Sequence, residues 1–195
     1  MRAKKSKKPS AAPAEMLAFP FPTALGPMAI VWAGEKIVAT QLPEKNKTAL
    51  LETLRLRLRA PTLRWQSSAP SFVRKLADQI TRHLSGEAQK FSLDHVALEN
   101  IPPFFRKVYE VANRIPSGKV LTYGEVALAA GSPKASRAVG QAMAKNPFLL
   151  LVPCHRVVGG SRKLVGFSAH GGVKTKASLL ELESLANVGT SHHQS

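Results

Sequence analysis

The chain reads as an α+β protein, and two contrasting patterns predict it. From residue 16 to 98, strand-like alternation is followed by two helical stripes, the mark of a small α/β N-terminal subdomain with one sheet. From 101 to 186, short capped helices follow one another with little strand between them, which predicts a mostly helical C-terminal domain containing a helix-turn-helix. A length of 195 residues suits one large domain or two small ones, with enough chain to bury a core.

Residues 1–15, MRAKKSKKPSAAPAE, combine five basic residues with two prolines and no large aliphatic beyond Met1. Such a segment cannot bury enough surface to fold, and a disordered basic tail is expected. Next, Met28, Ile30 and Trp32 alternate with Ala29 and Val31, and Ile37, Ala39 and Gln41 alternate with Val38 and Thr40. Gly34-Glu35 between these runs predicts a strand pair joined by a short turn. Over 47–58, Leu50, Leu51, Leu54 and Leu58 form one stripe. Over 71–84, Phe72, Val73, Leu76, Ile80 and Leu84 form another, and Gly86 stands where a C-terminal cap belongs. His83 and His95 stand alone in this half and read as surface or core residues without a catalytic role.

In the second half, Phe105, Val108, Ala112 and Ile115 share a helix face that Pro116-Ser117-Gly118 ends. Thr122 followed by Glu125 is a capping-box pattern opening a helix through Ala130. Gly131 ends that helix. Ser132 with Pro133 then reads as the start of a further helix running to about Lys145, stopped by Asn146-Pro147. This second helix carries small residues, Ala135, Ser136, Ala138 and Gly140, around Arg137. Small residues permit close approach to another surface. A tail from 187 to 195 is expected to be disordered.

The net charge is +16, from 28 Lys/Arg against 12 Asp/Glu, and both halves share the excess. A charge of this size favours a polyanion, and with a helix-turn-helix it favours nucleic acid. No apolar run reaches the ~18 residues needed to span a bilayer, so no membrane association is expected. The single cysteine cannot form an internal disulfide, which suits a reducing, cytoplasmic setting and excludes a Cys-rich metal site.

That cysteine, Cys154, follows the apolar run Leu149-Leu150-Leu151-Val152 and a rigid Pro153, and precedes His155 and Arg156. A framed thiol beside a base and a cation reads as a nucleophile with a lowered pKa at the edge of the core. In an extended segment, neighbouring side chains point to opposite faces. His155 would then need a turn or a bridging water to reach the sulfur, and a carboxylate to orient it. The candidate carboxylates are Glu110, Glu125, Glu181 and Glu183.

Several segments together resemble the methylated-DNA–protein-cysteine methyltransferases, the alkylguanine–DNA alkyltransferases. They are TYGEVA (122–127), ASRAVGQAM (135–143), Asn146-Pro147, PCHRVV (153–158) and Gly171-Gly172 with Lys176, Leu179-Leu180 and Glu183. The resemblance is strong over 101–183 and compatible over 20–98. It implies stoichiometric transfer of an alkyl group from alkylated guanine in double-stranded DNA to the cysteine, with alkylated thymine as a further candidate. By the resemblance, Cys154 is the acceptor, His155 draws off its proton through a water, and Glu183 holds the imidazole. Asn146 ties the site to the turn before the cysteine, and Tyr123 moves the 3′ phosphate and helps protonate the departing guanine. Arg137 fills the space of the extruded base, while Thr122, Ser136, Ala138 and Gly140 lie along the minor groove. Phe167, Ser168 and Leu149 line the substrate pocket.

The chain departs from the family pattern in three places. Gly166-Phe167-Ser168-Ala169-His170-Gly171-Gly172 stands where a shorter Gly-Tyr-x-Gly-Gly is usual, and Leu149 replaces a common proline. Cysteines that hold zinc in the N-terminal domain of some members are missing, so neither metal nor cofactor is expected. The expected protein is a monomer associated with the nucleoid when bound to DNA. Two other readings compete with a transferase: a non-enzymatic protein that binds alkyl lesions, and a Cys-His-Glu hydrolase that turns over.

Overall fold

The computed structural model describes residues 15–167 and 171–190, without the side chains of 187–190. The basic tail through residue 14, Ser168, His170 and residues 191–195 lie outside the described residues.

The N-terminal half is a four-stranded sheet carrying two helices. Its strands are β1 (Leu17–Phe21), β2 (Met28–Ala33), β3 (Lys36–Gln41) and β4 (Arg64–Trp65), in the order β3-β2-β1-β4. The expected β2–β3 hairpin is antiparallel and turns at Gly34, whose φ of 57° lies in the left-handed region open to glycine. β1 was not among the expected strands, and it contains Pro20. The strand accommodates Pro20 because it pairs with β4 only at Leu17 and Ala18, which leaves the edge beside Pro20 without a ladder to complete.

β2 is buried on both faces. Met28, Ile30 and Trp32 join the main core with α2 (Ser71–Leu84), through its Val73, Leu76, Ile80 and Leu84. Ala29 and Val31 face the other way, against Leu50 and Leu54 of α1 (Lys47–Leu58). The side chain of Asn46 caps α1 by accepting from the Ala49 N–H at 2.9 Å. Burying each of the large α2 aliphatics contributes about 1.5–3 kcal/mol, so truncating Ile80, which is fully buried, would loosen the whole layer.

The C-terminal half contains α3 (Pro103–Asn113), β5 (Leu121–Thr122), α4 (Tyr123–Ala129), α5 (Ser136–Ala144), β6 (Val157–Val158) and α6 (Val173–Thr190). The capping box at Thr122 is present in both directions: its hydroxyl accepts from the Glu125 N–H at 3.2 Å, and the Glu125 carboxylate accepts from the Thr122 N–H at 2.6 Å. α5 starts at Ser136, three residues later than the expected first position at Pro133. Ser132 to Ala135 instead form a turn closed by Ala135 N–H to Ser132 O at 2.9 Å. Proline suits the second position of such a turn as well as the first position of a helix, and here the turn wins. α6 runs past residue 187 to Thr190, since Leu185 to Val188 contain no breaker.

The two halves interlock. Thr40 on β3 donates its N–H to Pro147 O at 2.9 Å and its hydroxyl to Leu149 O at 2.7 Å. Arg57 of α1 donates to Thr40 O at 2.7 Å and to Pro147 O at 3.3 Å. The main core is continuous from β2 through α2 into α3, α5 and the 148–154 segment. No helix among the described residues is long and apolar enough to cross a membrane.

Candidate active site

Cys154 opens a single 3₁₀ turn, Cys154–Arg156, rather than continuing an extended segment. Pro153, with φ −78° and ψ 71°, starts the turn, and Arg156 N–H closes it onto Pro153 O at 2.9 Å. The loop before it is pinned from three sides. Asn146 donates its amide to Val152 O at 2.8 Å and accepts from Phe148 N–H at 2.9 Å. Asn113 donates to Leu151 O at 2.7 Å, and Thr40 holds Leu149 O. Leu150 is held at φ 73°, a conformation non-glycine residues adopt only when their surroundings enforce it.

After the turn, β6 pairs in parallel with β5, setting Leu121 beside Val157 and Thr122 beside Val158. The segment after the cysteine is thereby fixed to the strand that leads into Tyr123 and α4. Cys154 is 6% exposed and lines a pocket of about 250 Å³ together with Tyr123, Gly140, Met143, Ala144, Gly166 and Phe167.

The turn directs His155 and Arg156 inward to Glu183 on α6. His155 Nε2 lies 2.8 Å from Glu183 Oε1. An ionised carboxylate only accepts, so this nitrogen carries the proton and Nδ1 is the ring's acceptor. Arg156 donates its Nε to Glu183 Oε2 at 2.9 Å and its Nη2 to Oε1 at 2.7 Å, and its Nη1 to Ile115 O at 2.5 Å. The Gly118 N–H adds a contact to Oε2 at 3.3 Å. Glu183 is 1% exposed. Burial alone would push its carboxyl up. Hydrogen bonds from His155, His83 and Arg156 outweigh that and hold it well below the usual carboxylate range. Glu181, the neighbouring candidate, is exposed.

The thiol differs from the sequence expectation. Burial pushes Cys154 up, not down, and hydrogen bonding from Asn146 and the charge of Lys176 only partly oppose it. The cation expected to act on it, Arg156, is instead paired with Glu183. His155 is pushed down, first by burial, with the Glu183 hydrogen bond and charge acting the other way. A protonated thiol and a neutral imidazole are thus the resting pair. Transfer of the thiol proton to the His155 ring would leave an imidazolium beside the Glu183 carboxylate.

The remaining expected residues divide. Tyr123, Gly140 and Phe167 meet at the Cys154 pocket. Burial raises the Tyr123 hydroxyl above its ordinary value. Ser136 and Arg137 are exposed at the start of α5, and Thr122 and Ala138 are half-buried. Leu149 does not line the pocket: it is 1% exposed in the core, because its loop folds back under the Thr40 contact.

Three contributors were not anticipated. Lys176, fully buried on α6, donates to Val157 O at 2.6 Å and Val165 O at 3.1 Å, tying both ends of the segment after the cysteine to the helix. Its place between Gly171-Gly172 and Leu179-Leu180 was the available signal. Arg156 proves to be a partner of Glu183. His83, read as isolated, reaches Glu183 Oε1 at 3.1 Å across 100 residues of sequence, a separation no local pattern reports. His95 does stand apart, stacked on Phe72. Although two histidines and a carboxylate converge here, no group of three or more His, Cys, Asp or Glu among the described residues could hold a metal ion.

The site so defined is a buried thiol followed in the chain by a histidine that is hydrogen-bonded to a buried carboxylate. Residues 103–185 match the family model for the 6-O-methylguanine DNA methyltransferase DNA-binding domain. A methylated-DNA–protein-cysteine methyltransferase of Methanosarcina acetivorans is 41% identical over 112 residues, covering 57% of this chain and 69% of that protein. One from Haemophilus influenzae is 32% identical over 173 residues, covering 85% and 84%. Among solved structures, the Mycobacterium tuberculosis O6-methylguanine methyltransferase superposes with a TM-score of 0.69 at 29% identity, covering 87% of this chain and 93% of that one. The same organism's protein in complex with DNA gives 0.69 at 28% identity, over 87% and 94%. The chain belongs to the methylated-DNA–protein-cysteine methyltransferase family.

Proposed function

We propose that this chain repairs double-stranded DNA by taking an alkyl group from the exocyclic oxygen of guanine onto Cys154, once per molecule. The observation that carries this reading is the geometry around Cys154. One thiol, held protonated by burial, lines a small pocket beside Tyr123 and α5, and the ring behind it has its Nε2–H committed to Glu183.

In the proposed reaction His155 Nδ1 accepts the thiol proton through a water. The sulfur electron pair then attacks the alkyl carbon, the carbon–oxygen bond breaks, and the departing guanine takes a proton with help from the Tyr123 hydroxyl. A thioether is left on Cys154, and no step regenerates the thiol, so the protein is consumed. Asn146 keeps the preceding loop in place through its bonds to Val152 and Phe148.

A guanine oxygen is unreachable inside a stacked duplex, so the base must be turned out into the pocket. Arg137, exposed at the start of α5, is suited to fill the vacated space, while Thr122, Ser136, Ala138 and Gly140 let the helix pair approach a narrow groove. Phe167, which lines the Cys154 pocket, would cover the extruded base, and Ser168 beside it in sequence shares that proposed role. Alkylated thymine is a second candidate substrate. The working form is a monomer, cytoplasmic and nucleoid-associated when on DNA.

Incubation with duplex DNA containing methylated guanine, followed by intact-protein mass measurement, tests the reading. One methylene unit should be gained per chain, and none by Cys154→Ala. Binding without a mass change would overturn transfer in favour of a lesion-binding protein. Product exceeding protein would overturn single use in favour of a hydrolase. Arg137→Ala should slow transfer from duplex DNA far more than transfer from free alkylguanine; equal slowing would remove its proposed role.

A further inference from the structure

His83 lies in the last turn of α2, in the N-terminal half, and is 2% exposed. Its ring is fixed on three sides. The Gln89 N–H donates to Nδ1 at 3.3 Å, so the proton of the neutral ring sits on Nε2. Nε2 points at Glu183 Oε1 at 3.1 Å. The edge of Phe91 packs against the ring at a centroid distance of 5.5 Å and an interplanar angle of 79°.

The oxygen that His83 reaches is the one that also accepts from His155 Nε2 at 2.8 Å and Arg156 Nη2 at 2.7 Å. A neutral imidazole has one acceptor and one donor. Here the Gln89 N–H meets the acceptor, and the donor is spent on the atom that sets the proton affinity of the proposed base.

We infer that His83 is a positioning residue for the Cys154 relay: its Nε2–H shares Glu183 Oε1 with His155 and thereby limits how strongly the carboxylate draws a proton onto the His155 ring. The charged and titratable groups facing His155 are Glu183 from α6, Arg156 from its own turn and His83 from α2. On the thiol side Lys176 faces Cys154. Removing the His83 donor leaves Glu183 with one competitor fewer for its negative charge. His155 then holds a proton to higher pH, and the neutral form that accepts the thiol proton is present only at higher pH. The direction agrees with the effect of His83 on His155, which is to lower its proton affinity.

The inference rests on the proposed transfer reaction, and its test separates the two. Full-length His83→Phe keeps ring volume and removes the donor; His83→Gln restores an N–H at similar reach. Single-turnover transfer to methylated-guanine duplex is followed from acid to alkaline pH. His83→Phe should be about tenfold slower near neutrality, roughly the effect of one hydrogen bond to a charged group, with the rising limb of its rate profile at higher pH. His83→Gln should return both rate and limb toward wild type. A Phe variant with wild-type rate and profile would overturn the inference. So would Phe and Gln variants equally slow with an unmoved limb, since that pattern reports only damaged packing. Imidazole proton–nitrogen correlation spectra give a readout independent of transfer: His83 should be protonated at Nε2, and the His155 signals should shift in the Phe variant. Protonation of His83 at Nδ1 would overturn the contact even if the wild type takes up no alkyl group, in which case the proposed function itself fails.

Discussion

Glu183→Gln removes one charge from a site that holds it with five donors: His155, His83, Gly118 N–H and two nitrogens of Arg156. The glutamine amide has a single acceptor oxygen, so its NH2 must face N–H groups that previously met a carboxylate. The larger consequence falls on Arg156, 5% exposed, whose guanidinium is left without a counter-charge. Breaking one side of a buried pair costs about 3–5 kcal/mol. For a chain of this size that corresponds to a fall in melting temperature of roughly 6–20 °C. Urea unfolding followed by far-ultraviolet circular dichroism measures it. Adding Arg156→Met should recover part of the loss, because the stranded charge goes with it. The effect also has a pH signature. The Glu183 carboxyl is held below its ordinary value, so its stabilisation is full above the unfolded value of about 4.3 and fades as pH falls toward the folded one. The gap between wild type and variant should therefore narrow in acid. A loss under about 1 kcal/mol, typical of an exposed pair, or no recovery on adding Arg156→Met, would refute the reasoning.

Three further outcomes are expected. Thr40→Val leaves Leu149 O without its hydroxyl donor in a buried setting and should cost about 1–3 kcal/mol in urea unfolding; a neutral result would mean that water replaces the hydroxyl. Thr122→Ala removes the cap of α4 and should cost about 1 kcal/mol, whereas an unchanged denaturation midpoint would show the capping box to be dispensable. Because burial raises the Cys154 thiol, iodoacetamide should label folded protein at pH 8 far more slowly than urea-unfolded protein, as read by mass spectrometry; equal rates would contradict a protonated, enclosed thiol.

Much of the fold was legible because its signals are local. The bounds of α1 and α2 follow from the spacing of Leu50 and Leu54 and of Val73, Leu76 and Ile80, and the α4 start follows from Thr122 and Glu125. β1 was hidden because it contains Pro20, which is tolerated only where the assembled sheet leaves that edge unpaired. The start of α5 was misplaced because Ser-Pro opens turns and helices alike. In the candidate site, Cys154, His155, Asn146 and Glu183 were singled out through motifs. The direction of the thiol shift was not, since adjacency of Arg156 suggested a cation acting on sulfur, while the 3₁₀ turn sends that cation to Glu183. Nor was His83, whose contact depends on how α2 packs against α6.

Both tryptophans, Trp32 on β2 and Trp65 on β4, belong to the N-terminal sheet. Trp65 packs against the smaller N-terminal cluster and Trp32 in the main core, while α3 to α6 contribute ellipticity and no indole. Thr40 to Leu149 and His83 to Glu183 stitch the silent half to the emitting one. If those stitches make the molecule one cooperative unit, the optical curves will coincide, and the indoles will report the unfolding of a half that contains none.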